Sequence, residues 1–190
     1  RVFEKISKKL EDLDNSSILV SGGSGFLGSW ISEMVFYMNS FHNKNIKLFL
    51  LDRDQERYEN NLEHISKSKM IEFIKYDVRS VSDLPNEINY IIHGAATPDS
   101  RMHSASPLDT MTSIADGTGA ILHAANRVSN LLRFLNISSS SVYGDLSGEK
   151  ISETSSGLPL DLKASNAHSE AKRYAEMLGS AARSEARMPV

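Results

Sequence analysis

The chain has 190 residues, enough for one domain with a substantial core and too few for two. Apolar residues make up 40% and charged residues 24%, and 21 Lys and Arg against 24 Asp and Glu leave a net charge of -3. These totals exclude a disordered chain, a membrane span and general nucleic-acid binding, and the absence of cysteine excludes disulfides, thiolate catalysis and cysteine-held metal while being compatible with a cytoplasmic location.

The first stretch, "RVFEKISKKLEDLDNSS", spaces Val2, Phe3, Ile6, Leu10 and Leu13 among charges at helical intervals and lacks the apolar core of a secretory signal. It is read as an amphipathic lead-in helix. Short apolar runs then alternate with longer amphipathic segments, the pattern of βαβ units around a parallel sheet. Strands are predicted over 17–21, 46–52, 71–77, 89–95 and 132–138, and helices over 26–39, 55–66, 107–128 and 167–183, with Pro107 suited to a first helical turn. No repeat, low-complexity tract or linker divides the chain. The stretch 145–160, "DLSGEKISETSSGLPL", reads as a long surface loop of the kind that borders a substrate site. The chain opens on Arg1 rather than Met and closes on "EARMPV" where another strand is expected, so both ends read as cut.

Directly after the first strand stands "GGSGFLG", in which Gly23, Gly25 and Gly28 satisfy G-x-G-x-x-G and Gly22, Gly25 and Gly28 satisfy G-x-x-G-x-x-G. Glycine suits this place because the backbone must turn sharply, approach a pyrophosphate and pack a new helix against the strand. Amides at the helix start, around Phe26 and Leu27, then hold the anion with help from the helix dipole. Asp52 ends the second strand about 24 residues beyond Gly28, close to the interval at which a carboxylate reaches the adenosine ribose, and so favours NAD over NADP. Arg53 beside it pulls the other way, as a partner for adenine or phosphate or as a solvated charge. Asp77, followed by Val78, either contacts the adenine amino group or caps the next turn. Ala95 and Ala96 offer a small-residue floor for the cofactor, and His93 is read as a packed strand residue because no second ligand stands at metal spacing. No metal site is expected.

The motifs "SGGSGFLGSW", "YDVRS", "HGAAT", "NISSSSVYGD" and "SEAKRYAEML" occur in the order and approximate spacing of the extended short-chain dehydrogenases/reductases. The chain thus resembles the NAD-dependent nucleotide-sugar epimerase/dehydratase family. That resemblance implies an α/β fold, a Rossmann-like doubly wound parallel sheet, with residues 1–15 as an amino-terminal helical extension and 16–190 as the NAD-binding domain. It also implies a carboxyl-terminal substrate lobe, which is expected to be missing from these residues. Ser139 matches the family hydroxyl that hydrogen-bonds the reacting sugar oxygen, and Lys172 the lysine that holds the nicotinamide ribose. Four residues before Lys172, where the family places its catalytic tyrosine, stands His168.

The resemblance therefore implies an enzyme that oxidises a nucleotide sugar transiently and returns the hydride to it. The 4,6-dehydratases carry an acidic pair after the hydroxyl residue, and this chain has Ser140 and Ser141, so epimerase or decarboxylase chemistry is favoured over dehydration. His168 leaves three readings open: a working imidazole base, a protein that binds NAD without turnover, or a change that traps a complex. The alternative function is accordingly a non-catalytic NAD-binding module. Expected partners are the nucleotide-sugar substrate and, by resemblance, a second copy of the chain paired through the helices 107–128 and 167–183; nucleic acid and membrane are not expected.

Overall fold

Runs rich in Ile, Leu, Val and Phe form five strands, β1 Ser17–Ser21, β2 Lys47–Asp52, β3 Ile71–Lys75, β4 Tyr90–His93 and β5 Arg133–Asn136, all paired in parallel in the order β3-β2-β1-β4-β5. The structure, a computed structural model, describes residues 7–96, 100–144, 150–155 and 161–190. Parallel neighbours require crossovers, and the helices supply them: α1 Phe26–Phe41, α2 Gln55–Asn61, α3 Glu63–Ser66, α4 Ser100–Ala105, α5 Pro107–Ala125 and α6 Ala167–Ala186.

Because side chains alternate along a strand, each buried strand serves both faces. Ile18, Val20, Leu48 and Leu50 pack with Val35 and Met38 of α1 and with Tyr58, Leu62 and Ile65. Leu19, Phe49, Leu51, Ile91 and Phe134 pack on the other side with Ile121, Leu122 and Ala125 of α5. Helix α6 lies on α5 through Ala171, Ala175 and Ile114. The helices therefore cover opposite faces, and the direction of winding changes between β1 and β4. That crevice is where open α/β sheets bind ligands.

The expected strands and helices stand in their places with altered ends. Residues 76–77, 94–95 and 137–138 leave the ladder and form the rim above the sheet instead of lengthening the strands. The helix expected over 55–66 breaks at Leu62, whose backbone adopts φ -127 and whose side chain is fully buried, so burying that side chain takes precedence over continuing the helix. Helix α5 stops at Ala125, short of Val128, while α6 runs on to Ala186. Part of the lead-in forms a 3-10 helix, Ser7–Leu13, in place of the expected α-helix, and residues 1–6 lie outside the described ones. The short α4 was not legible, since six residues leave no helical period to detect.

Helix α1 seats on the glycine turn through Gly28. A Cβ there would stand 2.4 Å from the Gly22 carbonyl oxygen and 2.6 Å from the Gly23 Cα, both main-chain atoms that cannot swing aside. Gly28→Ala is expected to cost about 1–3 kcal/mol, the range for overpacking. It should show as a lowered urea midpoint at unchanged m, and a variant of unaltered stability would mean that α1 is not held against the turn.

Candidate active site

The glycine turn begins where β1 ends. Gly22 takes φ +74, a left-handed conformation that side chains disfavour, and its amide donates to the Leu51 carbonyl at 2.9 Å. A Cβ on Gly22 would lie 3.1 Å from Ala95 main-chain atoms, so the turn and the residues after β4 pass in near contact. The Gly25 amide donates to the Gly22 carbonyl at 3.0 Å, and Gly25 is the N-cap of α1. A glycine cap brings no side chain to satisfy the first amides of the helix, which leaves them for a ligand.

Asp52 lies at the carboxyl end of β2 with its side chain only 4% exposed. Burial alone would raise its pKa, yet the Ser24 hydroxyl at 2.7 Å, the Asp54 amide at 3.2 Å and the Arg57 guanidinium at 3.0 Å outweigh that and hold it below the ordinary carboxylate value. Arg57 also donates from Nε to the Ser24 hydroxyl at 2.8 Å. Neither Ser24 nor Arg57 was expected from sequence, although both stand in segments adjoining predicted site residues.

Asp77 displays the capping geometry. It accepts from the Arg79 amide at 3.0 Å and from the Arg79 guanidinium at 2.7 Å, and this partner holds its carboxyl below the ordinary range. Arg79 continues to Asp109 of α5 at 3.1 Å, linking the rim to the helix. Gly22, Asp52, Arg53, Asp77, Val78, Ala95 and Ala96, all expected cofactor residues, line one cleft of about 200 Å³ together with Arg57 and Arg79. Gly25, Phe26, Leu27 and Gly28 do not line it; Phe26 and Leu27 are exposed at the start of α1.

His93 is buried beneath that floor in a hydrogen-bond chain whose direction can be assigned. Thr118 donates to the Ile114 carbonyl at 2.7 Å, so it accepts from His93 Nε2 at 3.1 Å. His93 Nδ1 then accepts from the Ser21 hydroxyl at 2.6 Å, which itself accepts from the amides of Gly94 and Ala95 at 3.2 and 3.3 Å. The histidine is thus a packed residue, as expected, and it also pins the residues after β4 to β1 and α5. Among the described residues no group of three or more His, Asp or Glu could hold a metal ion.

Ser139, His168 and Lys172 lie apart from this cleft, beyond the carboxyl end of β5 and on the first turns of α6. Lys172 is buried and donates to the Ile137 carbonyl at 2.7 Å, while the Ile137 amide donates to the His93 carbonyl at 2.9 Å. Its pKa is lowered by burial, against the opposing pull of Glu176. Ser139 caps a 3-10 turn, Ser140–Tyr143, accepting from the Ser141 amide at 3.2 Å with the Ser141 hydroxyl at 2.9 Å. His168 stands one turn before Lys172 and stacks on His103 of α4, ring centroids 4.3 Å apart and planes 13° from parallel. Burial first, then His103 and Lys172, lower the pKa of His168. His103 escaped the sequence reading because α4 did. Of the loop expected over 145–160, only 150–155 lies within the described residues, and 97–99 lie outside them.

A model of the NAD dependent epimerase/dehydratase family matches residues 18–190. UDP-glucuronic acid decarboxylase 1 of Xenopus tropicalis is 30% identical over 171 residues, covering 90% of this chain and 38% of that protein. The Arabidopsis thaliana protein of the same name is 31% identical over 162 residues, covering 85% of this chain and 35% of that one. Among solved structures, UDP-glucuronic acid 4-epimerase from Bacillus cereus in complex with UDP-glucuronic acid and NAD superposes with a TM-score of 0.75 at 25% identity, over 91% of this chain and 54% of that one. The chain spans less than half the length of these curated relatives.

The buried chain through His93 makes stability depend on pH. Burial, then the Lys172 charge, push His93 down from 6.5 to about 3. A depressed folded value means that the unfolded state binds the proton more readily, so this contribution is complete above pH 6.5 and is lost as pH falls towards 3. Wild-type protein should lose up to about 1.4 kcal/mol per pH unit more than His93→Gln across that window, measured by urea unfolding. Parallel pH profiles would show that His93 is not buried neutral.

Proposed function

Because the chain belongs to the NAD dependent epimerase/dehydratase family, we propose that residues 16–190 bind NAD in the cleft above β1 and β4 and act on a nucleotide sugar. The observation that carries this reading is the convergence of Gly22 of the glycine turn, Asp52, Asp77 and Ala95 on one crevice. The cradle fits a diphosphate: Gly22, Gly25 and Gly28 leave main chain alone at the start of α1, and no methyl can stand at Gly28. Asp52, ionised and held by Ser24 and Arg57, supplies acceptors for ribose hydroxyls, and the half-exposed Arg57 is the partner a ribose would displace. Its charge favours NAD over NADP; Arg53 and Arg57 moderate that preference.

NAD, when bound, takes a hydride from a sugar carbon and gives it back. In this reading the residues of the chain orient the sugar and move its proton. The Ser139 hydroxyl holds the reacting sugar oxygen, Lys172 holds the nicotinamide ribose, and a ring nitrogen of His168 takes the hydroxyl proton. Its surroundings disfavour the charged ring, so His168 stands unprotonated and free to accept, but as a weakened base that gives the proton up readily. It lacks the reach of tyrosine, so turnover is slow. Ser140 and Ser141 argue against dehydration, and the similarity to proteins acting on UDP-glucuronic acid points to a nucleoside diphosphate uronate and to epimerisation or decarboxylation.

A second copy is the proposed partner, through the exposed Leu108 and Met111 of α5 and Tyr174 and Met177 of α6. A cytoplasmic location is proposed from the cysteine-free composition and a substrate of this class. Among the described residues no helix is long and apolar enough to cross a membrane.

Calorimetry with NAD and NADP, followed by incubation with UDP-, dTDP-, GDP- and CDP-sugars including UDP-glucuronic acid, tests the whole reading. NAD should bind, product should form slowly, and His168→Tyr should raise turnover at least about tenfold, an amount within the reach of general base catalysis. Lys172→Ala should lose it. NAD binding with no product from either the wild type or His168→Tyr would leave the non-catalytic NAD-binding module; no heat with either coenzyme would sink both.

A further inference from the structure

We propose that Arg57 decides which nicotinamide coenzyme the cleft takes: paired with Asp52, it cancels the charge that would turn a ribose 2′-phosphate away, and it is itself the group such a phosphate would meet. This rests on the cofactor reading above and adds a ligand class, the 2′-phosphorylated coenzyme, to it. A carboxylate offers about four lone-pair sites. On Asp52 they are already occupied from within the protein: Oδ2 accepts from the Ser24 hydroxyl at 2.7 Å and the Ser24 amide at 3.3 Å, Oδ1 accepts from the Asp54 amide at 3.2 Å, and both accept from Arg57 Nη2, at 3.0 and 3.1 Å. The Asp52 side chain is 4% exposed and that of Arg57 41%. The end of β2 therefore presents to the cleft chiefly a guanidinium rather than a bare carboxylate.

The way Arg57 is held fits it to this task. The single Ser24 hydroxyl proton goes to Asp52, so that oxygen accepts from Arg57 Nε at 2.8 Å, and Ser24 is fully buried. Arg57 is thus anchored through Nε and Nη2, and among the described residues its Nη1 has no acceptor. A ribose diol must displace Nη2 before it can donate to Asp52. A 2′-phosphate is an acceptor, and it can meet the guanidinium with the ion pair intact. Arg53, exposed on the same wall, adds a second cation. The other carboxylates of the wall are engaged: Asp54 accepts from the Arg57 amide at 2.9 Å and caps α2, and Asp77 is gripped by Arg79. Removing the Arg57 charge therefore acts with opposite sign on the two coenzymes, freeing acceptors for the diol of NAD and taking a cation from the phosphate of NADP. A residue that only supported the fold would weaken both alike.

Titration calorimetry with NAD and NADP, on the wild type and on Arg57→Met, which keeps an unbranched apolar stem, tests this. The wild type should bind both coenzymes with affinities within about tenfold of each other. Arg57→Met should tighten NAD and weaken NADP, moving their ratio towards NAD by at least about tenfold, the scale of one charge-assisted hydrogen bond. Adenosine 2′,5′-bisphosphate compared with 5′-AMP should repeat the shift, and added salt should weaken NADP more than NAD. Equal losses for both coenzymes, or a ratio that the substitution leaves unchanged, overturn the proposal while the NAD reading stands. NAD bound by the wild type with NADP undetected overturns it as well. No heat from either coenzyme removes the cofactor reading and this inference together. If Arg57→Met does not fold, the wild type decides: 5′-AMP bound more than about tenfold tighter than the bisphosphate overturns the proposal, and comparable binding supports it.

Discussion

The structure depends on a close approach between main-chain atoms at Gly22 and Gly28. Where β1 gives way to α1, the helix comes so near the turn that a methyl group has no place between them. This contact aims the amino end of α1, with its unsatisfied amides and its dipole, at the crevice above the sheet. It also fixes the angle at which α1 crosses the strands, and therefore which of its side chains join the core. Site and scaffold share one constraint.

Around that turn the polar groups are arranged so that each charge or ring has a defined state. Asp52 is kept ionised despite burial because three donors converge on it, and Asp77 because Arg79 grips it from the next turn. His93 is kept neutral because both ring nitrogens are used, one as donor to Thr118 and one as acceptor from Ser21. A second proton on that ring would lack an acceptor, and burial would make its charge costly. The same chain reaches α6: the Ile137 amide donates to the His93 carbonyl, and Lys172 donates to the Ile137 carbonyl. The floor of the cleft and the head of α6 are thereby held in one frame. His168, stacked on His103 and one turn before Lys172, is a second imidazole favoured in the neutral form.

Much of the fold was legible because its signals are local. Five apolar runs and the amphipathic stretches between them marked every strand and each of the longer helices, and the spacing of glycines in "GGSGFLG" marked the turn. Strand ends were overread because residues past Lys75 and His93 keep a single bond back to the neighbouring strand, Tyr76 to Asp52 and Gly94 to Ser21, and then leave the ladder. Leu62 broke a helix that its local sequence favoured, since burying its side chain outweighed the next hydrogen bonds. Ser24 and Arg57 could not be connected to Asp52, nor His103 to His168, because those pairs meet only when separate elements pack.

The sequence by itself determined the type and order of the elements and the place of the glycine turn, because each rests on a periodicity or spacing within a short window. Tertiary structure alone decided how Asp52 is held, which His93 tautomer is present and what lies against His168. Those outcomes are set by distances between atoms far apart along the chain, and such distances exist only once the sheet has brought its crossovers together.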